Sequence, residues 1–349
     1  MIAFVSWDDT RPSGGNTYDA ALVAALRSAG SSVTVHALPG SWPVPEPAAL
    51  VALADVLQEH PVSLVDGIVA SAAPDQIEVA VAAGRRVVVL FHMATADEVG
   101  LPAVERDRRE DLEGRALRAA SAVVATSATA ADSLAGRHGL TDVRVARPGA
   151  TPSPVAPGSS AEPRLLSIGT LSATKDQATA VRALGLLRDL PWSARFVGPA
   201  DVEPAYAHQV STLVDETGLA DRVRLTGGLT GDALEQQWRD ADLLLLTSRT
   251  ETFGLVVTEA LARGVPAVVS AGTGAVEALG RGAGPPRETL PGCSVRAGDS
   301  AALATVLRRW LTEPDLRSDW RRAALAHRDR LPGWSTTAAV VQGVLGVDG

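Results

Sequence analysis

The sequence alternates short apolar runs with helical stretches, and the alternation occurs twice along the chain. Alternation of this kind predicts parallel strands joined by crossover helices on both faces of a sheet. In the first half we expect a turn-rich loop at 8–16, a helix at 20–29 and a long charged helix at 103–119. The predicted strands of this half are Ile2–Trp7, Ser32–His36, Val62–Val69, Arg86–Phe91 and Ala122–Thr126.

A proline-rich segment at 147–163 separates the two halves, because its composition holds neither a helix nor a central strand. The alternation then restarts. The predicted strands of the second half are Arg164–Ile168, Ser193–Val197, Val223–Thr226, Asp242–Thr247 and Pro266–Ser270. The predicted fold class is therefore α/β, with two doubly wound Rossmann-like domains at 1–150 and 164–332 and a linker at 151–163.

Composition narrows the class of protein. Hydrophobic residues at 46% and charged residues at 21% are typical of a soluble protein with sizeable cores. The net charge of -8 argues against nucleic-acid binding. The longest apolar runs have strand length and the start lacks a basic region, so we expect a cytoplasmic protein without a signal peptide or stable membrane insertion. The single Cys293 excludes an internal disulfide.

Lysine and asparagine, like cysteine, occur once each. All the cationic side chains except Lys175 are arginines, and Asn16 is the only asparagine. Lysine is a compact point charge, whereas arginine is a planar fork, so the two do not replace each other at every site. Lys175 and Asn16 are therefore candidates for chemistry, with chance survival as the alternative.

The most informative segment is 248–266, which follows a predicted strand and opens a helix predicted at 254–263. Free N–H groups at the start of such a helix suit a phosphate group. Glu251 precedes the helix and Glu259 lies inside it, so both carboxylates are expected to reach one ligand at different heights. Compensation of the helix dipole is the alternative role for these acids. The free N–H groups at the start of the predicted helix are those of Phe253, Gly254 and Leu255.

At these residues the chain resembles glycosyltransferase family 4, a group of retaining enzymes with the GT-B fold. The family motif E-x-F-G-x-x-x-x-E is matched from Glu251 to Glu259, and the G-x-P that follows is matched at Gly264-Val-Pro266. Other segments agree in order, so the resemblance runs from Gly14 to about residue 347.

Residues 165–176 resemble the family's strand followed by G-R-L-x-x-x-K-G. The resemblance places Lys175 where the family neutralises the phosphates of the departing nucleotide, which stabilises the transition state without a metal. Thr170 stands where the family usually has arginine. Arg249, beside the Glu251 motif, is therefore the possible second cation.

The resemblance also implies site residues in the N-terminal half. The segment Arg11–Thr17 corresponds to the family's first loop, whose glycine amides face phosphate and sugar; a plain turn is the alternative. Its candidate residues are Gly14, Gly15 and Asn16. His92 corresponds to a histidine that contacts the donor sugar, with a structural histidine as the alternative.

Four further positions and the C-terminus complete the resemblance. Loops at Gly198 and Gly227 correspond to those that hold the nucleotide base, largely by backbone. Ser127 and Arg147 fall on family positions, although Arg147 replaces the usual asparagine. The helix at about 333–349 corresponds to one that crosses back onto the first domain.

The resemblance implies transfer of a sugar from a nucleotide-diphosphate sugar, of UDP or GDP type, to a hydroxyl acceptor with retention of configuration. Glu259 would bind the ribose, Glu251 the sugar, and Lys175 the phosphates, while the loops of Gly15 and His92 close over the donor in a cleft between the domains. No metal or other cofactor is expected. The acidic charge favours a soluble small-molecule acceptor over a lipid, and the base, the acceptor and the oligomeric state stay open.

Two alternatives remain from the sequence: a nucleotide-sugar epimerase of the same fold and a non-catalytic nucleotide-sugar-binding protein. A pyridoxal phosphate-dependent phosphorylase would need a second lysine, which the chain lacks. Asp240-Ala-Asp242 spells the metal motif of another glycosyltransferase fold, but at a helix–strand boundary polar residues are ordinary. Gly272-Thr-Gly274 fails the dinucleotide fingerprint because Glu277 takes the place of its third glycine.

Overall fold

The computed structural model describes residues 1–8, 13–280 and 289–346. The chain divides into two compact units: unit 1 comprises Met1–Gly149 with Gly333–Gly349, and unit 2 comprises Ala150–Pro332. Arg11, expected in the first loop, and the predicted helix beyond residue 346 lie outside the described residues. Within the described ranges, no helix has both the length and the apolar character needed to cross a membrane.

Unit 1 contains a six-stranded parallel sheet with the strand order 2-1-3-4-5-6. Its strands are β1 (Ile2–Trp7), β2 (Val33–Leu38), β3 (Val62–Asp66), β4 (Arg86–Phe91), β5 (Ala122–Ala125) and β6 (Val143–Val145). Its helices before unit 2 are α1 (Gly14–Ser28), α2 (Pro47–Glu59), α3 (Gly67–Ser71), α4 (Pro74–Ala82), α5 (Ala103–Ala119) and α6 (Ala128–His138), with a 3₁₀ turn at Thr95–Asp97.

Strand β4 shows why this sheet is covered on both faces. Val87 and Val89 enter one hydrophobic cluster, together with side chains of α2, α4 and α5. Val88 and Leu90 enter the opposite cluster, with side chains of α1. A strand that is buried on both faces reads as a continuous apolar run, which is the pattern that predicts a parallel sheet.

Unit 2 contains a second six-stranded parallel sheet, with the order 12-11-10-7-8-9. Its strands are β7 (Arg164–Ile168), β8 (Ser193–Val197), β9 (Val223–Gly227), β10 (Leu243–Leu246), β11 (Ala267–Ala271) and β12 (Gly292–Arg296). Its helices are α7 (Gln177–Gly185), α8 (Pro204–Glu216), α9 (Gly231–Arg239), α10 (Leu255–Ala262), α11 (Ala275–Leu279), α12 (Ser300–Thr312) and α13 (Pro314–Arg328). The chain then returns to unit 1 as α14 (Trp334–Leu345), which packs beside α1. The predicted pair of doubly wound α/β sheets is confirmed.

The structure corrects two predicted elements of unit 1. The predicted loop at 8–16 ends early, because α1 begins at Gly14 and Ser13 caps it by accepting a hydrogen bond from the Asn16 N–H at 3.0 Å. The predicted strand Val62–Val69 ends at Asp66, whose side chain accepts from the Ile68 N–H at 2.8 Å and starts α3. Strands β6 and β12 were not predicted.

The proline-rich segment forms neither helix nor strand, and its residues from 150 to 163 belong to unit 2. Ala156 is buried, and its N–H donates to the Arg263 carbonyl at 3.0 Å. Ser159 donates from Oγ to the Asp242 carboxylate at 2.5 Å. These contacts fix the start of β7 and hence the position of the loop that follows it.

Each sheet has a switch point, where the chain connections leave in opposite directions. The switch lies between β1 and β3 in unit 1, and between β7 and β10 in unit 2. In doubly wound sheets ligands bind beyond the carboxyl ends of the strands at such points. The loops after these four strands are therefore the first places to look for a site.

Candidate functional site

The loops after β7 and β10 bring Lys175 and Glu251 together. The Lys175 Nζ lies 2.7 Å from the Glu251 Oε2, and the Ser248 Oγ donates to the same carboxylate oxygen at 3.0 Å. The Lys175 side chain is 30% exposed and that of Glu251 is 14% exposed. The only lysine thus lies in an ion pair that ligands can reach at the switch point of unit 2.

Helix α10 provides the second part of this site. Gly254, which precedes the helix, has φ 86°, and a Cβ there would lie 3.2 Å from Leu246 and 3.3 Å from Ala275, so only glycine fits without strain. In the described part of the chain, the N–H groups of Gly254 and Leu255 have no acceptor. These groups carry the partial positive charge of a helix start. Phe253 is buried in the hydrophobic core of unit 2.

Glu259 lies inside α10, where its carboxylate accepts no hydrogen bond from any residue that the structure describes. Burial raises the pKa of Glu259, and the nearby Arg263 only partly offsets that effect. A carboxylate that is desolvated and without a donor is suited to accept hydrogen bonds from a ligand.

Three glycine loops pack backbone against backbone at the carboxyl ends of β7, β8 and β9. A Cβ on Gly198 would lie 1.9 Å from the Gly169 carbonyl oxygen, and the Gly198 N–H donates to the Gly227 carbonyl at 3.0 Å. The Gln177 amide donates to the Thr170 carbonyl at 2.9 Å, which holds the loop before Lys175. Gly198, Gly227 and Thr170 therefore shape the floor of the site through their backbones.

Arg249, the possible second cation, contacts Asp176, the residue that follows Lys175 in the chain. Its Nη2 is 3.2 Å from the Asp176 Oδ2, and its side chain is 55% exposed, whereas that of Asp176 is 3% exposed. The Arg249 N–H donates to the Thr174 carbonyl at 2.8 Å, so the two loops are also joined by backbone.

Unit 1 has a separate cluster at its own switch point. The His92 Nε2 lies 2.7 Å from the Asp19 Oδ1 and 3.6 Å from the Asp66 Oδ2. Asp19 comes from α1, Asp66 from the end of β3 and His92 from the end of β4. All three side chains are nearly buried, and the edge of the Tyr18 ring packs on the His92 ring with centroids 5.1 Å apart.

The two carboxylates decide the charge of His92. Burial alone would lower the pKa of His92, but the Coulomb attraction and hydrogen bond of Asp19, together with Asp66, raise it to about 9. Burial also raises the pKa of Asp66, to about 6. At neutral pH His92 is therefore an imidazolium. Its Nδ1 has no acceptor among the described residues, so this nitrogen can donate to a ligand.

The glycine pair predicted in the first loop lies instead in the first turn of α1. A Cβ on Gly15 would lie 3.8 Å from the His92 ring, so the helix start and the histidine are neighbours. Gly14 and Gly15 each present an N–H that has no intrahelical partner. Asn16 follows in the same turn, and its own N–H is held by the Ser13 Oγ.

One described cluster has donor atoms close enough to hold a metal ion. The carboxylate oxygens of Asp19 and Asp66 and a ring nitrogen of His92 lie within 4.8 Å of one another. A cation there would have to displace the proton that the two carboxylates hold on His92. Asp240 and Asp242 are engaged elsewhere: Asp240 accepts from the Arg164 guanidinium and Asp242 from the Arg164 N–H.

Residues 155–327 match the family model described as glycosyl transferases group 1. This match places residues 155–327, which make up most of unit 2, in the family. The matched range contains Lys175, Glu251 and Glu259, which are the residues that the structure assembles around one switch point.

Curated relatives of this family cover part of the chain. The chain is 30% identical over 243 residues to D-inositol 3-phosphate glycosyltransferase 1 of Catenulispora acidiphila, a match over 64% of this chain and 56% of the relative. It is 30% identical over 263 residues to the D-inositol 3-phosphate glycosyltransferase of Acidothermus cellulolyticus, over 70% of this chain and 56% of the relative. These matches span about half the length of those relatives.

Solved structures of glycosyltransferases match along almost the whole chain. Sucrose-phosphate synthase from Thermosynechococcus elongatus has a TM-score of 0.80 at 22% identity, covering 98% of this chain and 97% of that one. Anabaena HepE in complex with UDP and glucose has a TM-score of 0.76 at 19% identity, covering 99% of each chain. These likenesses establish the fold and confirm the predicted GT-B class.

The sequence analysis did not identify Asp19, Asp66, Asp176 and Ser248 as site residues. Asp66 carried a signal that could have revealed it, because it follows an apolar strand as His92 does. Ser127 caps α6 by accepting from the Ala130 N–H at 2.9 Å. The Arg147 carbonyl accepts from the Thr337 Oγ1 at 2.7 Å, which ties α14 to unit 1.

Proposed function

We propose that this protein transfers a sugar from a nucleotide-diphosphate sugar to a hydroxyl acceptor with retention of the anomeric configuration. The observation that carries the proposal is the contact of Lys175 with Glu251 at 2.7 Å, beside the α10 helix start and within the family-matched range. A cation, a carboxylate and free N–H groups at one switch point suit a ligand with both phosphates and hydroxyls.

Each residue of unit 2 has a proposed role toward the donor. The Lys175 ammonium and the N–H groups of Gly254 and Leu255 bind the diphosphate. The Glu251 carboxylate accepts hydrogen bonds from the sugar hydroxyls, and Glu259 accepts from the ribose hydroxyls. The unpaired, desolvated Glu259 carboxylate supports this role, since ribose hydroxyls supply the donors that the free protein lacks there.

In the proposed reaction the acceptor oxygen forms a bond to the anomeric carbon on the face that the leaving phosphate departs from. The bond between that carbon and the phosphate oxygen breaks, and the acceptor's proton passes to the departing phosphate. Lys175 offsets the negative charge that grows on this phosphate. His92 donates from its Nδ1 to an oxygen of a substrate. We propose that no metal is required, because the chain's own cations supply the positive charge that the diphosphate needs. The proposed donor is linked to UDP or GDP.

The acceptor is proposed from the relatives' names. Curated relatives are called D-inositol 3-phosphate glycosyltransferases, so a soluble polyol or polyol phosphate is the first acceptor to test, and the cytoplasm, where nucleotide sugars are made, is the proposed location. The same experiment tests the two alternative functions, a nucleotide-sugar epimerase and a non-catalytic binding protein.

The test starts from nucleotide binding. Thermal shifts with UDP, GDP, ADP and TDP, with and without magnesium, name the base, because binding to the native state raises Tm. The matching UDP- or GDP-sugars are then incubated with a panel of polyols and polyol phosphates, and product and nucleotide release are measured together. Sugar transfer with retained configuration supports the proposal. An altered sugar on an intact nucleotide indicates an epimerase, and tight binding without turnover indicates a binding protein.

A further inference from the structure

Asp176 has an unusual backbone for an aspartate. Its φ is 47°, and among the residues that the structure describes it alone is a non-glycine with positive φ. Glycine adopts this left-handed region freely, whereas aspartate and asparagine adopt it only occasionally and at a small cost. Strain of this kind persists where the surrounding structure holds it in place, and it is concentrated at functional sites.

The Asp176 carboxylate does not serve the helix that it precedes. Asp176 occupies the N-cap position of α7, yet its side chain makes no capping hydrogen bond to a backbone N–H. The Ala178 N–H of the first turn is bonded to the Tyr206 hydroxyl at 3.1 Å instead. Ordinary N-capping therefore does not explain an aspartate at this position.

What the carboxylate does contact is Arg249. The Asp176 Oδ2 accepts from the Thr179 Oγ1 at 2.9 Å and lies 3.2 Å from the Arg249 Nη2. The carboxylate is nearly buried, and the arginine is half exposed. The fixed partner is thus the aspartate, and the arginine is the group that it holds.

The backbone on both sides fixes the same geometry. The Thr247 Oγ1 donates to the Asp176 carbonyl at 3.0 Å, and the Arg249 N–H donates to the Thr174 carbonyl at 2.8 Å. Asp176 is adjacent to Lys175 in the chain, so the guanidinium is tied to the loop that carries the lysine. A guanidinium has five N–H donors, and Asp176 contacts only the Nη2 nitrogen, which leaves the remaining donors for a second anion.

We infer that Asp176 is a positioning residue that holds Arg249 beside Lys175 as the second cation for the donor's diphosphate. The inference rests on the proposed function. It gives a role to an aspartate at a position where glycine would be relaxed, and it gives a chain with threonine at position 170 two cations. Lysine acts as a point charge, and the arginine fork adds bidentate binding of a phosphate.

The test compares Asp176→Gly with Arg249→Ala in dissociation constants for the nucleoside diphosphate that shifts the wild type most. Asp176→Gly relieves the strained backbone, so its Tm should equal or exceed that of the wild type. Its affinity for the diphosphate should nevertheless fall about tenfold, as for loss of one charged hydrogen bond. Arg249→Ala should give a similar loss. In the Arg249→Ala background, Asp176→Gly should change affinity less than twofold.

Two controls separate positioning from a general effect. Asp176→Asn tolerates the left-handed region but lacks the charge, and its affinity should fall with that of Asp176→Gly. Arg182→Ala removes an exposed arginine from α7, and its affinity should equal that of the wild type. The nucleoside monophosphate should lose less affinity than the diphosphate in both Asp176 variants.

The outcomes separate this inference from the proposed function. If the wild type binds the nucleoside diphosphate and Asp176→Gly binds it with the same dissociation constant, the inference is overturned and the proposed function is not. An equal loss for Asp176→Gly with and without Arg249 also overturns it, because the aspartate then acts without the arginine. Absence of binding by the wild type to any nucleoside diphosphate overturns the proposed function and the inference together.

Discussion

The Lys175 ammonium and the Glu251 carboxylate contact each other at 2.7 Å, although 76 positions separate them in the chain. Each of these groups, partly exposed, satisfies the charge of the other in the free protein. A bound donor would replace both partners, with phosphate oxygens at the lysine and hydroxyls at the carboxylate. The pair is therefore organised before a ligand arrives, which reduces the reorganisation that binding requires.

Removal of either partner should abolish most of the transfer. We expect Lys175→Ala and Glu251→Ala to lower the transfer rate by about 100-fold or more, the usual effect of losing one group that stabilises developing charge. Tm should change little, since partly exposed ion pairs contribute little stability. Steady-state rates with the donor that the thermal shifts identify provide the measurement.

The matched control for this pair is Arg308→Ala. Arg308 pairs with Asp189 at 2.6 Å, and both are exposed in the same unit. This variant should keep the wild-type rate. Rates within a few-fold of wild type for Lys175→Ala and Glu251→Ala would contradict the proposed roles.

The strands that the sequence predicted best are those buried on both faces. Ile2–Trp7, Arg86–Phe91 and Ser193–Val197 have the predicted bounds, because a continuous apolar run has few other ways to be buried. β6 and β12 were not predicted because each mixes apolar residues with arginine, and most of their residues are half-buried or exposed. The predicted strand at 62–69 was too long because apolar residues resume at Ile68 and Val69, after Asp66 and Gly67 have already turned the chain into α3.

The candidate site was predictable where a motif is local. Glu251, Gly254 and Glu259 lie on one loop and helix, so their spacing alone carried the prediction. The partners of His92 were not predictable, because Asp19 and Asp66 reach it through the order of β1, β3 and β4 in the sheet. Side chains that meet across a sheet are set by topology, which periodicity does not encode.

The charge of His92 gives a pH prediction for unit 1. The pKa of His92 in the folded protein, about 9, exceeds the ordinary value of 6.5. The stabilisation that charged His92 gives to the folded state is therefore fully present below pH 6.5 and is lost as pH rises through about 9. In an NMR titration the His92 ring should titrate near 9. Asp19→Asn should lower the pKa of His92, because Asp19 is the largest raising influence, while the exposed Asp55→Asn should leave it unchanged. Titration of wild-type His92 near 6.5 would contradict the imidazolium.

Glu259 should show opposite effects on stability and on binding. Burial raises its pKa, so ionisation of this carboxyl at neutral pH disfavours the folded state. Glu259→Gln removes that charge, and its Tm at pH 7 should rise, with less difference from wild type at pH 4. Its affinity for the nucleotide should fall about tenfold, because an amide accepts ribose hydroxyls more weakly than a carboxylate does. Unchanged nucleotide affinity of Glu259→Gln would contradict the proposed hydrogen bonds of Glu259 to the ribose hydroxyls.

The last prediction concerns the close approach of two loops next to Glu251. A Cβ on Gly274 would lie 1.8 Å from the Thr252 carbonyl oxygen, and the Gly274 N–H donates to the Glu251 carbonyl at 2.7 Å. Gly274→Ala must therefore push the Glu251 loop away, at about 1–3 kcal/mol of stability. Nucleotide affinity should fall with it, since Glu251 and the α10 start move together.

Gly280→Ala is the control for this change, at the other end of the same helix. A Cβ there meets its nearest neighbour at 3.6 Å, an ordinary contact, and Gly280 has a φ of −80° that alanine adopts. Its Tm and affinity should match those of the wild type. The expected loss of stability in Gly274→Ala comes from contact with the Thr252 carbonyl. Equal Tm values for the two variants would show that the Glu251 loop moves at little cost, and Glu251 would then not be held in place before the donor binds.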